Sequence, residues 1–472
     1  MYNPKSLKAE EFISHDEIME SLDYSQKNSS NVELIDKILQ KAKLKKGLSH
    51  REALMLLDCN IEEKNQEIFK LAKEIKEEYY GNRIVLFAPL YLSNYCVNGC
   101  VYCPYHLKNK HIPRKKLTQE EIAKEVMALQ DMGHKRIAIE TGEDPVNNPI
   151  EYILESIDTI YKVRHKNGSI RRVNVNIAAT TIENYKKLHE KGIGTYILFQ
   201  ETYNKESYEK LHPTGPKHNY SYHTEAMDRA MQAGIDDVSI GVLFGLELYR
   251  YEFLGLLMHA EHLEQTYGVG PHAISVPRIK KADDINPEDF DNGIDDDIFA
   301  KIVACIRIAV PYSGMIISTR ESKECRKKLL SLGVSQISGG SKTSVGGYFK
   351  PMPEDEDSAQ FDVSDRRPLD EVIKWLLDLG YLPSFCTACY RQGRTGERFM
   401  KVCKSQQIHN YCHPNAILTL KEYLIDYASS DTKTQGELII KRELDKIQDE
   451  SIRKILQQNL IKIEEGLRDF KF

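Results

Sequence analysis

The sequence has no apolar run that approaches the roughly 20 residues needed to cross a membrane. Positive charge is not in excess either, because 65 lysines and arginines face 70 aspartates and glutamates, for a net charge of −5. A chain without a cationic surplus offers no electrostatic reason to bind nucleic acid or an anionic membrane. Residues 1–20 are too acidic and too polar for a signal peptide, so we expect a cytoplasmic protein.

With no export signal, the ten cysteines are expected to be reduced thiols or metal ligands rather than disulfides. The length of 472 residues predicts two or three structural units. We expect an N-terminal helical extension at 1–82, an α/β barrel at 83–345 and a mostly helical C-terminal domain at 346–472 that carries a second cluster of cysteines.

The middle of the chain alternates short apolar runs with amphipathic stretches, which is the pattern of repeated βα units. Eight such units match a closed (β/α)8 barrel of the TIM type, in which chemistry gathers on the loops that follow the strands. Capping boxes at Ser49 and Thr118 predict the starts of two helices. The predicted strands are Ile84–Leu92, Arg136–Glu140, Val173–Ala178, Thr195–Phe199, Val238–Phe244, Ala273–Val276, Met315–Ser318 and Val334–Ser338.

Cys96, Cys100 and Cys103 follow the first predicted strand directly. Three thiolates on one loop can hold three irons of a 4Fe-4S cube and leave the fourth iron open. This spacing, with Tyr102 before the last cysteine as a cofactor-binding candidate, resembles the radical S-adenosylmethionine (SAM) superfamily. There the open iron binds SAM, which is cleaved to a 5′-deoxyadenosyl radical. A zinc site completed by His106, or simply buried thiols, are the alternatives.

The same resemblance implies a set of residues that bind SAM. Thr141, Gly142 and Glu143 follow the second strand and resemble the Gly-Gly-Glu segment that binds the SAM amino group, with Thr141 in place of the first glycine. Glu201, after the fourth strand, would contact the ribose or methionine part of SAM. Arg229 on the next helix would contact the SAM carboxylate, and its alternative role is a solvated helix charge.

Two arginines are predicted at the mouth of the barrel. Arg278 lies at the far end of the sixth strand and Arg320 follows the seventh. Arginine binds carboxylates through two parallel hydrogen bonds, so both are candidates for a substrate carboxylate.

A second cysteine cluster lies beyond the barrel, after a polar and acidic connection at Pro351–Arg367. Cys386 and Cys389 form a Cys-x-x-Cys pair, and Cys412 follows after 22 further residues. Three more thiolates predict a second iron-sulfur cluster with an open iron. The alternative is zinc, with its four ligands completed from Cys403, His409 and His413.

The two clusters, the barrel and the stretch Cys386–Glu397 together resemble the radical SAM tyrosine lyases of the HydG family, which serve FeFe-hydrogenase maturation. The resemblance covers nearly the whole chain. It implies cleavage of L-tyrosine to p-cresol and dehydroglycine, and conversion of dehydroglycine to carbon monoxide and cyanide at the second 4Fe-4S cluster, on an additional iron. His272, at the opposite end of its strand from Arg278, is then a candidate ligand of that iron, with a structural role as the alternative.

The partners implied are an electron donor such as ferredoxin or flavodoxin and other hydrogenase maturation proteins. Three other functions are possible. The tyrosine lyase of thiazole biosynthesis shares the barrel but lacks the second cluster, and biotin-synthase-like sulfur insertion uses auxiliary cysteines within the barrel strands. A non-catalytic iron-sulfur scaffold would leave Glu143, Glu201 and Arg229 without a purpose.

Overall fold

A computed structural model describes residues 1–350, 358–405 and 408–472. Residues 351–357 of the acidic connection predicted at Pro351–Arg367 therefore lie outside the described residues. None of the helices within the described ranges is both long and apolar enough to cross a membrane.

Eight parallel strands form a closed barrel, as predicted, and each predicted strand is present to within a few residues at its ends. Parallel pairing runs from β1 through β8, and the barrel closes where Val85–Phe87 of β1 pair with Gln336–Ser338 of β8. The strands are β1 Arg83–Ser93, β2 Arg136–Thr141, β3 Arg172–Asn176, β4 Tyr196–Phe199, β5 Val238–Gly241, β6 Ala273–Ser275, β7 Gly314–Ile317 and β8 Gln336–Ser338.

A ninth strand, β9 Leu382–Ser384, pairs in parallel with Arg83–Val85 at the start of β1. We did not predict it, because three residues that include Pro383 carry no period-2 pattern. Its position is important, since it delivers the second cysteine cluster to the amino-terminal end of the barrel. A two-stranded antiparallel hairpin, Arg164–His165 with Gly168–Ser169, was likewise not predicted.

The N-terminal extension is helical, as predicted: α2 packs against α4, α3 packs against α4 and α5, and α2, α4 and α5 contact the barrel helices at Tyr249–Tyr267 and Asp296–Ala309. In the capping box at its fourth helix, Ser49 Oγ accepts from Glu52 N–H and Glu52 accepts from Ser49 N–H. These five helices are α1 Ala9–Phe12, α2 His15–Asn28, α3 Val32–Ala42, α4 His50–Asp58 and α5 Glu62–Tyr80.

The barrel helices connect successive strands, and the predicted capping box of Thr118 and Glu121 is present at the first of them. They are α6 Gln119–Asp131, α7 Ile150–Lys162, α8 Ile182–Glu190, α9 Lys205–Leu211, α10 Tyr220–Thr224, α11 Ala226–Gln232, α12 Tyr249–Tyr267, α13 Asp296–Ala309 and α14 Lys323–Leu332, with 3-10 turns at Pro216–His218 and Pro287–Asp289.

The C-terminal region is mostly helical. Its described helices are α15 Leu369–Asp378, α16 Ala388–Arg391, α17 Gly396–Lys404, α18 Ile408–Asp426, α19 Ser430–Asp445 and α20 Glu450–Glu464. Helix α18 packs against α19, α20 and β9, so this region is joined to the barrel through the pairing of β9 with β1. The domain boundaries at residues 82 and 345 stay a prediction.

Candidate functional site

The first cysteine loop follows β1 at the carboxyl end of the barrel, and Cys96, Cys100 and Cys103 line a cavity there. Backbone hydrogen bonds hold the loop from two sides: Val97 N–H donates to Glu143 O at 2.8 Å, and Gly99 N–H donates to Thr214 O at 2.9 Å. Burial raises the pKa of all three thiols, that of Cys103 to about 12. A bound metal would therefore have to displace protons from the three thiols.

Gly142 allows the loop after β2 to approach the cysteine loop closely. A side chain there would overlap the Tyr95 carbonyl oxygen and come within 3.0 Å of Cys96 Cβ. The Asn148 side chain bridges the two loops: its Nδ2 donates to Tyr95 O at 3.0 Å and to Gly142 O at 2.9 Å. This close contact between a three-thiol loop and a Gly-Glu segment fits a cluster whose open iron faces a bound cofactor.

Five of the six residues predicted to bind SAM line this cavity: Tyr102, Thr141, Gly142, Glu143 and Glu201.

Two acidic side chains of the cavity are held by neighbours that the sequence did not indicate. Asn98 Nδ2 donates to Glu143 Oε2 at 2.6 Å, and Lys217 Nζ lies 2.9 Å from Glu201 Oε1. Glu201 has a left-handed backbone, with φ of 69°. Lys217 was not predicted, because it lies in a 3-10 turn 16 residues after Glu201 with no motif around it.

Arg229, for which the resemblance implied a contact with the SAM carboxylate, does not line this cavity. Its Nε donates to Thr180 O at 3.0 Å, and its guanidinium lies over the Tyr222 ring, 3.9 Å from the centroid. Lys217 is the cation that the structure places beside Glu201 instead.

A second cavity lies in the barrel interior and shares part of its wall with the first. Arg320 lines both cavities, and its guanidinium lies 3.6 Å from the centroid of the Phe361 ring. Within the described residues this guanidinium has no hydrogen-bond or ion-pair partner, and burial lowers its pKa. The residues common to both walls are Glu140, Asn176, Phe199, Arg320, Gln360 and Phe361.

Arg278 lines neither cavity, which corrects its predicted place at the barrel mouth. Its guanidinium is already occupied, since it pairs with Glu321 and Asp296 and donates to Ile294 O at 3.1 Å. Glu321 is buried, so this ion pair is a structural element between β6, α13 and α14. Arg320 is therefore the one of the two predicted arginines that faces a cavity.

The second cysteine cluster lines a third cavity at the amino-terminal end of the barrel. Cys386, Cys389 and Cys412 meet His272 there, together with Arg136 from the start of β2. Cys389 and Cys412 are close enough for an S–H···S hydrogen bond, which raises the pKa of Cys389. The structure thus brings together three cysteines from the C-terminal region and the histidine predicted to join them.

His272 is held as a neutral imidazole. Burial lowers its pKa to about 4. Its Nε2 lies 2.8 Å from the Tyr390 hydroxyl, and its Nδ1 lies 3.6 Å from Asp237 Oδ2. Neutral imidazole with one nitrogen directed at a carboxylate is the form in which histidine binds metals.

The sulfur spacing favours clusters over single zinc ions. Zinc holds each thiolate at about 2.3 Å, so sulfurs around one ion lie about 3.8 Å apart. Among the described residues, the one group of three candidate ligand atoms within 4.8 Å of one another is Asp296, Glu321 and Cys325, which Arg278 already occupies. Neither predicted cysteine set is that compact, as expected where each thiolate binds a different iron.

The other proposed zinc ligands do not complete the second site. Cys403 is buried on α17 but does not line the third cavity, and His413 lies 3.4 Å from Glu443 beside a separate surface cavity. The side chain of His409 lies outside the described part of the structure.

Comparison with known proteins agrees with this geometry. The model of the radical SAM superfamily matches residues 90–256, and that of the biotin and thiamin synthesis associated domain matches 275–382. The chain is 30% identical over 305 residues to 2-iminoacetate synthase of Escherichia coli strain K12, covering 64% of this chain and 78% of that protein.

Two solved structures are similar along almost their whole length. A crystal structure of HydG, a maturase of the FeFe-hydrogenase, is 55% identical with a TM-score of 0.94, covering 98% of this chain and 100% of that one. HydG from Carboxydothermus hydrogenoformans is 40% identical with a TM-score of 0.83, covering 96% and 99%.

Proposed function

We propose that this chain, which belongs to the HydG family of radical SAM enzymes, is a tyrosine lyase that makes carbon monoxide and cyanide for assembly of the FeFe-hydrogenase cofactor. The observation that carries the proposal is the placement of two cysteine triads at opposite ends of one barrel, with a cavity between them lined by Arg320, which has no ion-pair partner among the described residues.

At the carboxyl end, Cys96, Cys100 and Cys103 would hold a 4Fe-4S cluster, with SAM against Glu143 and Glu201. When bound, this pair supplies a 5′-deoxyadenosyl radical. The protein itself positions SAM. The close approach of the two loops at Gly142 and the ion pair of Glu201 with Lys217 fix the shape of the SAM site.

In the interior cavity, Arg320 would bind the carboxylate of L-tyrosine. Within the described residues its guanidinium has no ion-pair partner, and its partial burial carries a desolvation cost that a bound carboxylate would offset. Apolar walls at Phe87, Ile197 and Ile316 suit an aromatic side chain. Cleavage of the Cα–Cβ bond divides tyrosine into p-cresol and dehydroglycine.

At the amino-terminal end, Cys386, Cys389 and Cys412 would hold the second 4Fe-4S cluster, and His272 an additional iron. Dehydroglycine is equivalent to carbon monoxide, hydrogen cyanide and water, so its breakdown balances without a further reactant. Arg136, whose Nη2 donates to Cys386 O at 2.8 Å, places a positive charge beside the path of this anionic fragment. A closed barrel also keeps the fragment from bulk water.

In this proposal, ferredoxin or flavodoxin donates the electron that the reaction needs. Other maturation proteins receive the product. The second candidate is 2-iminoacetate synthase activity alone, which the similarity to the E. coli enzyme favours. The meeting of Cys386, Cys389, Cys412 and His272 in one cavity argues for the longer reaction.

An anaerobic turnover with dithionite, SAM and L-tyrosine tests the proposal. We expect the wild type to release p-cresol, measured by chromatography, and carbon monoxide, trapped by haemoglobin. The double variant Cys386→Ala/Cys389→Ala should still release p-cresol but little carbon monoxide. Cys403→Ala is the matched control, because this buried thiol lies outside the cavity, and it should retain both products.

Release of p-cresol without carbon monoxide from the wild type would favour 2-iminoacetate synthase activity. Loss of carbon monoxide in Cys403→Ala, with p-cresol retained, would instead indicate that Cys403 is a fourth thiolate ligand of the second site. If the reduced protein leaves SAM intact, the radical function is wrong and a scaffold role becomes the better account.

A further inference from the structure

Glu140 is a partly buried carboxylate that the proposed roles above do not use. It lies near the end of β2, and its side chain lines both the SAM cavity and the interior cavity. Asn176, its neighbour across the β2–β3 pair, donates from Nδ2 to Glu140 Oε2 at 2.6 Å. In the described residues, Glu140 Oε1 has no hydrogen-bond partner. One oxygen is therefore fixed and the other is available to a ligand.

Arg320 is the complementary charge at the same place. Both side chains belong to the wall shared by the two cavities, and neither forms an ion pair with a charged residue in the described part of the chain. An unpaired cation and an unpaired carboxylate facing one cavity match the two charges of an α-amino acid. With Arg320 bound to the substrate carboxylate, the substrate nitrogen is directed to Glu140 and towards the SAM cavity.

The reaction requires more than binding of this nitrogen. An α-amino group is an ammonium ion near neutral pH, and an ammonium nitrogen has no lone pair to stabilise a radical centre. A base must remove one proton before a hydrogen atom can leave readily. The base must lie within hydrogen-bond reach of the nitrogen and must not already be neutralised by a protein cation.

We propose that Glu140 is this base: its Oε1 accepts a proton from the substrate ammonium group, which prepares the nitrogen for hydrogen-atom abstraction. The inference rests on the proposed tyrosine lyase function. In the proton transfer, the carboxylate and R–NH3+ become a carboxylic acid and R–NH2. The adenosyl carbon then takes one hydrogen atom from the nitrogen, giving 5′-deoxyadenosine and an aminyl radical, while the proton stays on Glu140.

The surroundings of Glu140 suit proton acceptance. Burial raises its pKa to about 8, and this rise is only partly offset by the bond from Asn176 and the charge of Arg320. Besides Arg320, the titratable groups that face it are Tyr91 of β1 and Tyr105 of the cysteine loop, and burial keeps both phenols neutral. A pKa in this range leaves Glu140 divided between acid and carboxylate near neutral pH. The positive charge of the arriving ammonium group favours the carboxylate, which is then a stronger base than an ordinary glutamate.

The test is Glu140→Gln, which keeps an acceptor for Asn176 but cannot take a proton. The matched control is Glu120→Gln on the exposed face of α6, which should behave as the wild type. Each protein is incubated anaerobically with SAM, dithionite and L-tyrosine in D2O. We measure SAM binding, p-cresol, and deuterium transferred to 5′-deoxyadenosine.

We expect Glu140→Gln to bind SAM as tightly as the wild type and to form p-cresol about 10²- to 10⁴-fold more slowly. The 5′-deoxyadenosine that accompanies its residual p-cresol should still carry deuterium from the substrate N–H positions, as in the wild type, because these positions exchange with D2O without Glu140. Raising the pH from 7 to 9 should restore part of the p-cresol rate to the variant, because more substrate then arrives as free amine. A purely structural role would give no such rescue.

Wild-type p-cresol formation by Glu140→Gln overturns the inference, as does an equal loss of SAM binding and activity without rescue at high pH. Failure of the proposed function is distinguishable, because the wild type would then also form no p-cresol.

Discussion

Replacing Arg320 by Gln should weaken tyrosine binding without weakening the fold. A hydrogen bond to a charged group contributes about 1.5–3 kcal/mol. At about 1.4 kcal/mol for each factor of ten, loss of the Arg320 contact with the substrate carboxylate should raise the KM for tyrosine about 10- to 100-fold. Arg320→Lys keeps the charge but loses the planar pair of donors, so its KM for tyrosine should lie between those of the wild type and Arg320→Gln.

The expected effect of Arg320→Gln on stability follows because Arg320 has no ion-pair partner among the described residues. Within the ranges that the structure describes, Arg320 is partly buried without an ion pair, so the folded protein bears part of its desolvation cost. Removing this charge should leave the melting temperature unchanged or raise it. Arg326 is the paired counterpart, because it is fully buried, pairs with Asp365 and donates to Ser338 O at 2.6 Å.

The assay compares p-cresol kinetics and anaerobic thermal unfolding for Arg320→Gln and Arg326→Gln. Breaking the buried Arg326 pair should cost about 3–5 kcal/mol, which would lower the melting temperature by several degrees. If Arg320→Gln is destabilised as much as Arg326→Gln while its KM is unchanged, Arg320 is a structural residue and the proposed substrate contact is wrong.

Two further predictions concern the cysteine loop and acid stability. Gly142→Ala should lose iron and SAM binding, because the added methyl group overlaps the Tyr95 carbonyl oxygen. Its helical circular dichroism should be unchanged. A normal cluster spectrum in this variant would contradict the close approach of the two loops. Burial lowers the pKa of His134 in the folded protein to about 4, against about 6.5 in the unfolded chain. Between these two pH values the unfolded chain binds a proton at His134 that the folded protein does not. The free energy of unfolding therefore falls as the pH falls through this range. His134→Gln should reduce the stability lost between pH 7.5 and 5.5 by about 1 kcal/mol in urea unfolding, and an unchanged loss would show that His134 does not titrate this way.

Local pattern was enough to predict much of the fold. Eight apolar runs became eight barrel strands, and the capping boxes at Ser49 and Thr118 begin helices where expected. These features depend on residues near one another in sequence, so periodicity and capping chemistry report them directly. Strand β9 was missed because three residues carry too little pattern, although it is this strand that delivers Cys386 to the barrel.

The sequence by itself determined the barrel, the two sets of cysteines and the family, because ligand spacing and strand repeats are properties of neighbouring residues. Only the tertiary structure decided which charged side chains remain available to a ligand. In the sequence, Arg278 and Arg320 were equal candidates for the substrate carboxylate. In the structure, Glu321 and Asp296 pair with Arg278 and not with Arg320. Partners distant in the chain make that difference, since burial and pairing exist only once the barrel has closed.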